Sequence, residues 1–110
     1  MALPRKYRLS KKKDIDYVFK KGRTVRDSSL FIKFIDNRIG YPRFVFIVPS
    51  KCVSLAVDRN KIKRIFSEET IKLPLPERGY DIAVVVYKKI VRSRFRELSV
   101  ELREVMLKLV

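Results

Sequence analysis

The sequence predicts a single-domain α+β fold, an α-β sandwich in the order α-β-β-β-α-β-α, on three observations. The stretch Asp81-Ile-Ala-Val-Val-Val-Tyr87 is apolar without alternation, the pattern of a strand covered on both faces and therefore central in its sheet. A basic helical segment separates it from the strand pattern Arg43 to Val48, and a helix between two strands is the kind of crossover that parallel strands require. Helical spacing of apolar residues appears near both ends of the chain. A length of 110 residues suffices for one modest core and is too short for two, so residues 1 to 110 are read as one domain.

Taken in order, residues 1 to 13 carry Arg5, Lys6, Arg8, Lys11, Lys12 and Lys13 with few apolar residues, which predicts a basic N-terminal arm. Ile15, Val18 and Phe19 then fall at i, i+3 and i+4, Asp14 and Asp16 suit the positive end of a helix, and Gly22 is a natural stop. The expected helix runs from about 14 to 21, with Lys20 and Lys21 on its other surface. Arg23 to Arg26 reads as a short edge strand. Leu30 to Ile35 is a β-branched and aromatic strand whose alternation sets Leu30, Ile32 and Phe34 on one face and Phe31, Lys33 and Ile35 on the other. Asp36 to Gly40 is a turn, and with Arg43 to Val48 it predicts an antiparallel hairpin.

Pro49 ends that strand and the basic segment follows. Ser54 and Asp58 are both good N-cap types, and a start near Ser54 is favoured, with the helix ending before Leu73-Pro-Leu-Pro76. Glu77 to Tyr80 is a turn into the central strand. From about Ser93 to Leu109, Phe95, Leu98, Leu102, Val105, Met106 and Leu109 recur at helical spacing, which predicts a mainly structural last helix.

Charge narrows the function. Lys and Arg number 27 against 12 Asp and Glu, a formal net charge of +15 that repels itself unless the partner is strongly negative. Nucleic acid is the partner class this favours over an anionic membrane, because Trp is absent and no helix keeps a bulky apolar face for lipid. The basic start runs into Lys11 to Lys13 where a signal peptide needs an apolar run, and no apolar run approaches the roughly 18 residues of a membrane span, so a cytoplasmic protein is expected. Cys52 is the single cysteine and is expected to be a buried structural thiol.

With no histidine, the Ser-His-Asp and Cys-His constellations and the usual zinc sites cannot be built, and the three glycines form no phosphate loop. Asp14 and Asp16 are the one pair that could hold Mg²⁺ in a metal-dependent nuclease. Residues i and i+2 point apart on a helix, so they read better as a helix start. Asp58 is likewise read as a cap or as a brace for an arginine.

The segment from Ser50 to Phe66 has the opposite character. At about 100° per residue Ile62, Ile65 and Phe66 share an arc, and Arg59, Asn60, Lys61, Lys63 and Arg64 occupy the remainder. A single basic residue on a helix is ordinarily just solvated. Here Arg59 and Arg64 can chelate phosphate, Lys61 and Lys63 add point charges, and Asn60 can donate and accept at a ribose or base edge. Such contacts read the shape of folded RNA more than its sequence. Phe31 beside Lys33 is a second surface suited to stacking and phosphate contact, although ordinary core packing explains it equally.

Ser50-Lys51, Ala56-Val57 and Arg59-Asn60-Lys61-Ile62-Lys63-Arg64 resemble the signature of the bacterial ribonuclease P protein subunit. The resemblance extends to Val18-Phe19-Lys20 with Gly22, to Arg43-Phe44 and to Gly79-Tyr80-Asp81. It implies a fold like the second domain of ribosomal protein S5, with a left-handed helix crossover between parallel strands. It also implies a small partner of a catalytic RNA in an endoribonuclease that removes the 5′ leader of precursor tRNA by Mg²⁺-dependent hydrolysis. The RNA carries the chemistry and, with the substrate, holds most of the Mg²⁺. No catalytic residue, metal ligand or small-molecule cofactor is then expected in the chain. Carried over, the RNA-subunit side comprises Lys51, Arg59, Asn60, Lys61, Lys63 and Arg64, and the leader side comprises Ile15, Phe19, Lys20, Phe31, Lys33 and Arg43. Ile15 stands where the family often has an aromatic, which leaves stacking to Phe19 and Phe31. The alternative reading is a ribosomal or other structural RNA-binding protein without a processing role.

Overall fold

A computed structural model of the chain describes residues 3–73 and 79–109. Its elements are α1 (Lys12–Lys21), β1 (Arg23–Arg26), β2 (Leu30–Asp36), β3 (Arg43–Ile47), α2 (Ala56–Lys72), β4 (Tyr80–Val86) and α3 (Glu97–Leu107), with short 3₁₀ turns at Arg5–Tyr7 and Arg92–Arg94. The order is the expected one.

All seven residues of β4 are buried, and the strand has a neighbour on each side. The sheet order is β1-β2-β4-β3, with β2 antiparallel and β3 parallel to β4. The predicted hairpin between β2 and β3 is therefore wrong. Those strands are consecutive in sequence, but β4, with no charged side chain except Asp81, gains more by taking the slot between them than it could at an edge. Phe31 pairs across to Val85 on one side of β4, and Ile47 pairs to the same residue on the other.

The two faces of this sheet are unequal. Leu30, Ile32 and Phe34 of β2, Phe44 and Phe46 of β3, and Tyr80, Ile82, Val84 and Val86 of β4 point to one side. There they meet Ile62 and Phe66 of α2 and Leu98, Leu102, Val105 and Met106 of α3. Phe46 lies 5.7 Å from Phe66 between ring centroids, and Phe34 meets Tyr80 edge-on at 5.5 Å. On the other side, the buried apolar residues among those described are Leu9, Ala83 and Val85, with Val18 of α1 against them.

Polar links tie the periphery to this frame. Glu101 of α3 accepts from Ser28 Oγ at 2.9 Å and from the Ser29 N–H at 2.8 Å, holding the β1–β2 turn. Arg103 pairs with the buried Glu69 at 3.0 Å, joining α3 to α2. Gly22 ends α1 with φ −74°, outside the left-handed region. It is needed for space, because a Cβ there would collide with the Val18 carbonyl and come within 3.0 Å of the Phe34 carbonyl.

Three boundaries differ from expectation. α1 begins at Lys12, two residues early, and β3 ends at Ile47. α2 begins at Ala56 with Leu55 as the flanking residue and no side-chain cap, so neither Ser54 nor Asp58 caps it. Asp58 instead pairs with Arg92 at 3.0 Å, a brace for a different arginine from its neighbour Arg59. The segment read as a basic arm is folded onto the sheet from Leu3 to Leu9: both leucines are buried, and the Leu9 N–H donates to the Phe44 carbonyl at 2.7 Å. The turn expected at Glu77 to Tyr80 and the proline-rich stretch before it fall largely on residues 74–78, outside the described residues.

Candidate nucleic-acid interface

The loop before α2 is stapled into the molecule, and this fixes where the basic helix starts. Cys52 and Val53 donate their N–H groups to the Pro49 carbonyl at 3.0 and 3.1 Å, and both side chains are buried. The Cys52 thiol lies 3.8 Å from the Val86 carbonyl at the end of β4, and the Ile90 N–H donates to the Cys52 carbonyl at 3.2 Å. Cys52 is thus the buried structural thiol that was expected.

From this anchor α2 displays its cations unevenly. Asn60, Lys61 and Arg64 are exposed on the outer arc, Lys51 is exposed on the loop before it, and Lys63 is half-buried on the flank. Arg59 lies about 140° around the helix from Arg64. Its Nη1 folds back to donate to the Val53 and Ser54 carbonyls at 3.0 and 2.8 Å, so it braces the loop while its remaining N–H donors stay available. The cationic surface is a band from Lys63 through Asn60 and Arg64 to Lys61, with Arg59 and Lys51 at its rim. Glu68 is exposed on the same arc.

The second surface lies on the thin face of the sheet. Ile15 and Phe19 of α1 and Phe31 of β2 are half-buried around the Val18, Ala83 and Val85 contact, so each keeps part of its side chain open. Lys33 Nζ reaches the Phe19 carbonyl at 3.5 Å, placing an ammonium at the negative end of α1 and beside these rings. These four residues come together as expected. Lys20 does not join them: it lies about 160° from Val18 around α1, on the outer surface with Lys13 and Tyr17.

Arg43 has other commitments. Its Nε and Nη2 donate to the two carboxylate oxygens of Asp81, both at 2.8 Å, and Nη2 lies 3.6 Å from Asp14 of α1. Asp81 is 6% exposed, and Asn37 Nδ2 donates to it at 3.0 Å. The Asp81 hydrogen bonds raise the Arg43 pKa above its ordinary value, partly offset by burial and helped by the charges of Asp81 and Asp14. Arg43 therefore clamps the start of α1 to β3 and β4. Beside the clamp is a groove of about 540 Å³ whose lining includes Tyr17, Ile35, Asn37 and Arg38.

Three residues of this face were not singled out from sequence. Tyr17 is an exposed aromatic, 54% accessible, at the edge of that groove. The Tyr87 ring lies 5.7 Å from Phe31, its hydroxyl donates to the Asp27 carbonyl at 2.6 Å, and the Arg26 guanidinium sits 5.5 and 5.3 Å from the Phe31 and Tyr87 rings. Register could have revealed the last two. Arg26 is the Cα partner of Phe31 in β1–β2, and Tyr87 continues the face of Ala83 and Val85. Among the described residues no group of three or more acidic or sulfur side chains could hold a metal ion. Asp14 is turned to Arg43 and Asp16 to Lys12, so the pair offers no Mg²⁺ cage. No helix of the described residues is long and apolar enough to cross a membrane.

Comparison with known proteins bears on the family of the chain. Residues 3–110 match the family described as ribonuclease P. A ribonuclease P protein component from Pseudanabaena is 31% identical over an alignment covering 96% of this chain and 93% of the relative. One from Legionella pneumophila (strain Corby) is 33% identical over 75 residues, 68% of this chain and 66% of the relative, so that match spans just under two thirds of the relative's length. A solved ribonuclease P protein from Staphylococcus aureus is 26% identical, covers 99% of this chain and 92% of its own, and superposes with a TM-score of 0.73.

Proposed function

The chain belongs to the bacterial ribonuclease P protein family, and we propose that it serves as the protein subunit of that endoribonuclease, docking a catalytic RNA on α2 and the 5′ leader of precursor tRNA on the thin face. The observation that carries this reading is the separation of the two surfaces. The cationic band of α2 belongs to one layer, and the rings of Phe19 and Phe31 with Lys33 lie under α1 on the opposite side of the sheet. One domain can therefore touch two polyanions at once.

The mechanism is electrostatic and geometric. Lys51, Lys61, Lys63, Arg59 and Arg64 displace counterions from the RNA subunit, Asn60 adds a polar contact, and binding weakens steeply with salt. On the other face, unstacked leader bases lie against Phe19 and Phe31, with Ile15 as an apolar wall and Lys33 beside the backbone. Arg43 acts here by positioning α1, and Lys20 meets the leader only where it emerges over the outer surface of the helix. Among the described residues Asp14 and Asp16 are turned to Arg43 and Lys12, and this reading assigns the ions required for hydrolysis to the RNA and substrate.

Reconstitution with a bacterial ribonuclease P RNA at low Mg²⁺ tests the proposal. The chain should raise cleavage of precursor tRNA well above that by the RNA alone, and no gain would overturn the reading. Arg59→Ala with Arg64→Ala should weaken RNA-subunit binding at least tenfold and leave discrimination between long and short leaders intact. Equal effects of this pair and of Phe19→Ala on both partners would rule out two separate surfaces.

A further inference from the structure

The cationic band of α2 does not stop at the helix. Lys61 and Arg64 form one wall of a groove of about 570 Å³ whose other wall is the segment carrying Arg92 and Arg96, with Ile65 and Phe95 among its lining. Acidic residues neutralise it only in part: Arg92 is paired with Asp58, and the exposed Glu68 lies in the lining. Glu69 is held by Arg103 at 3.0 Å, and Asp58 is held by Arg92, also at 3.0 Å. Among the described residues, Lys61, Arg64 and Arg96 have no acidic side chain within ion-pair distance, which leaves Glu68 as the one uncommitted acid of the lining.

The Asp58–Arg92 bond has a second consequence. It ties the turn at Arg92–Arg94 to the first turn of α2, linking the two walls while the Arg92 side chain stays 69% exposed. Such a trough, with cations on both walls, suits a phosphodiester backbone better than a single small anion, because its charges come from several residues on two segments.

We propose that this groove is a second RNA contact, in which Arg92 and Arg96 grip a backbone strand of the RNA subunit whose neighbouring phosphates meet Lys61 and Arg64. The proposal rests on the reading of α2 as the docking face, and it makes that face a two-walled channel built by segments far apart in sequence.

The test is affinity of the full chain for the ribonuclease P RNA across a range of salt concentrations. Arg92→Ala with Arg96→Ala should weaken binding about tenfold and lower the steepness of the log-affinity against log-salt plot by about one to two. Arg96→Lys should restore most of the loss that Arg96→Ala causes, and Lys108→Ala, a cation just past the end of α3 and outside the groove, should change neither quantity. Thermal unfolding of each variant checks that the fold is retained, and Arg96→Gln alone serves should the double variant unfold. Unchanged affinity and slope in the groove variants, with loss in Lys61→Ala and Arg64→Ala, would overturn the second contact and keep the first. Unchanged binding in both sets would overturn the docking face itself.

Discussion

The two faces of the sheet divide the work of the molecule. The face under α2 and α3 is closed: its large side chains, Phe44, Phe66, Ile62, Leu98 and Leu102 among them, are almost wholly buried, and its cations stand outside on α2. The face under α1 is half-open, with Phe19, Phe31, Ile15 and Ile35 keeping accessible area over a contact built on Val18 and Val85. The difference separates two uses open to apolar side chains. Full burial converts them into stability, whereas partial burial keeps a ring in place yet available to stack.

Substitutions can break that division in descending order of effect. Phe66→Ala, in the closed face, should cost about 3–5 kcal/mol of unfolding free energy, read from denaturant titration, because it leaves a cavity facing Phe46 and Ile62. Arg43→Ala should cost about 2–3 kcal/mol, less than loss of a fully buried pair because 19% of its side chain is accessible, and it leaves the Asp81 carboxylate uncompensated. It should also weaken leader binding through the freed start of α1, seen as lost discrimination between precursor tRNAs with long and short leaders. Phe31→Ala should lower leader affinity by about 1–3 kcal/mol while leaving RNA-subunit affinity unchanged. A loss of stability from Phe31→Ala as large as that from Phe66→Ala would erase the distinction between the faces.

How much of this could be read from sequence depended on whether the signal was local. The strand alternation of Leu30 to Ile35 appears as alternating burial, and the unbroken apolar run of β4 fixed its central place. What failed was adjacency. No residue near Asp36 to Tyr41 reports that a strand some forty positions later will enter between β2 and β3. The same run in β4 required a neighbour on both sides, however, and a hairpin of β2 with β3 leaves only one of them free to supply it.

The candidate site divides similarly. Residue type pointed to the cations of α2 and to Phe31 with Lys33. The direction of Arg59 was hidden, because the loop carbonyls that turn it back are acceptors every residue has. Arg43 was placed on the leader side only by resemblance, and its ion pair was hidden because Asp81 lies on a strand brought beside it only by the fold. The groove wall at Arg92 and Arg96 gave no signal for the same reason: its charges are ordinary until α2 stands opposite them.

The Leu9 bond to the Phe44 carbonyl, with the parallel bridge of Arg8 to Phe44, has a consequence for how the protein behaves among copies of itself. β3 is an edge of the sheet and carries Phe44, Val45, Phe46 and Ile47 in succession, a template on which another extended chain could add. The chain covers part of that edge with its own N-terminal segment, and Lys6, Arg8 and Lys11 bring charge to its flank. A region that sequence reads only as a basic arm thus also leaves less of that edge open to another extended chain.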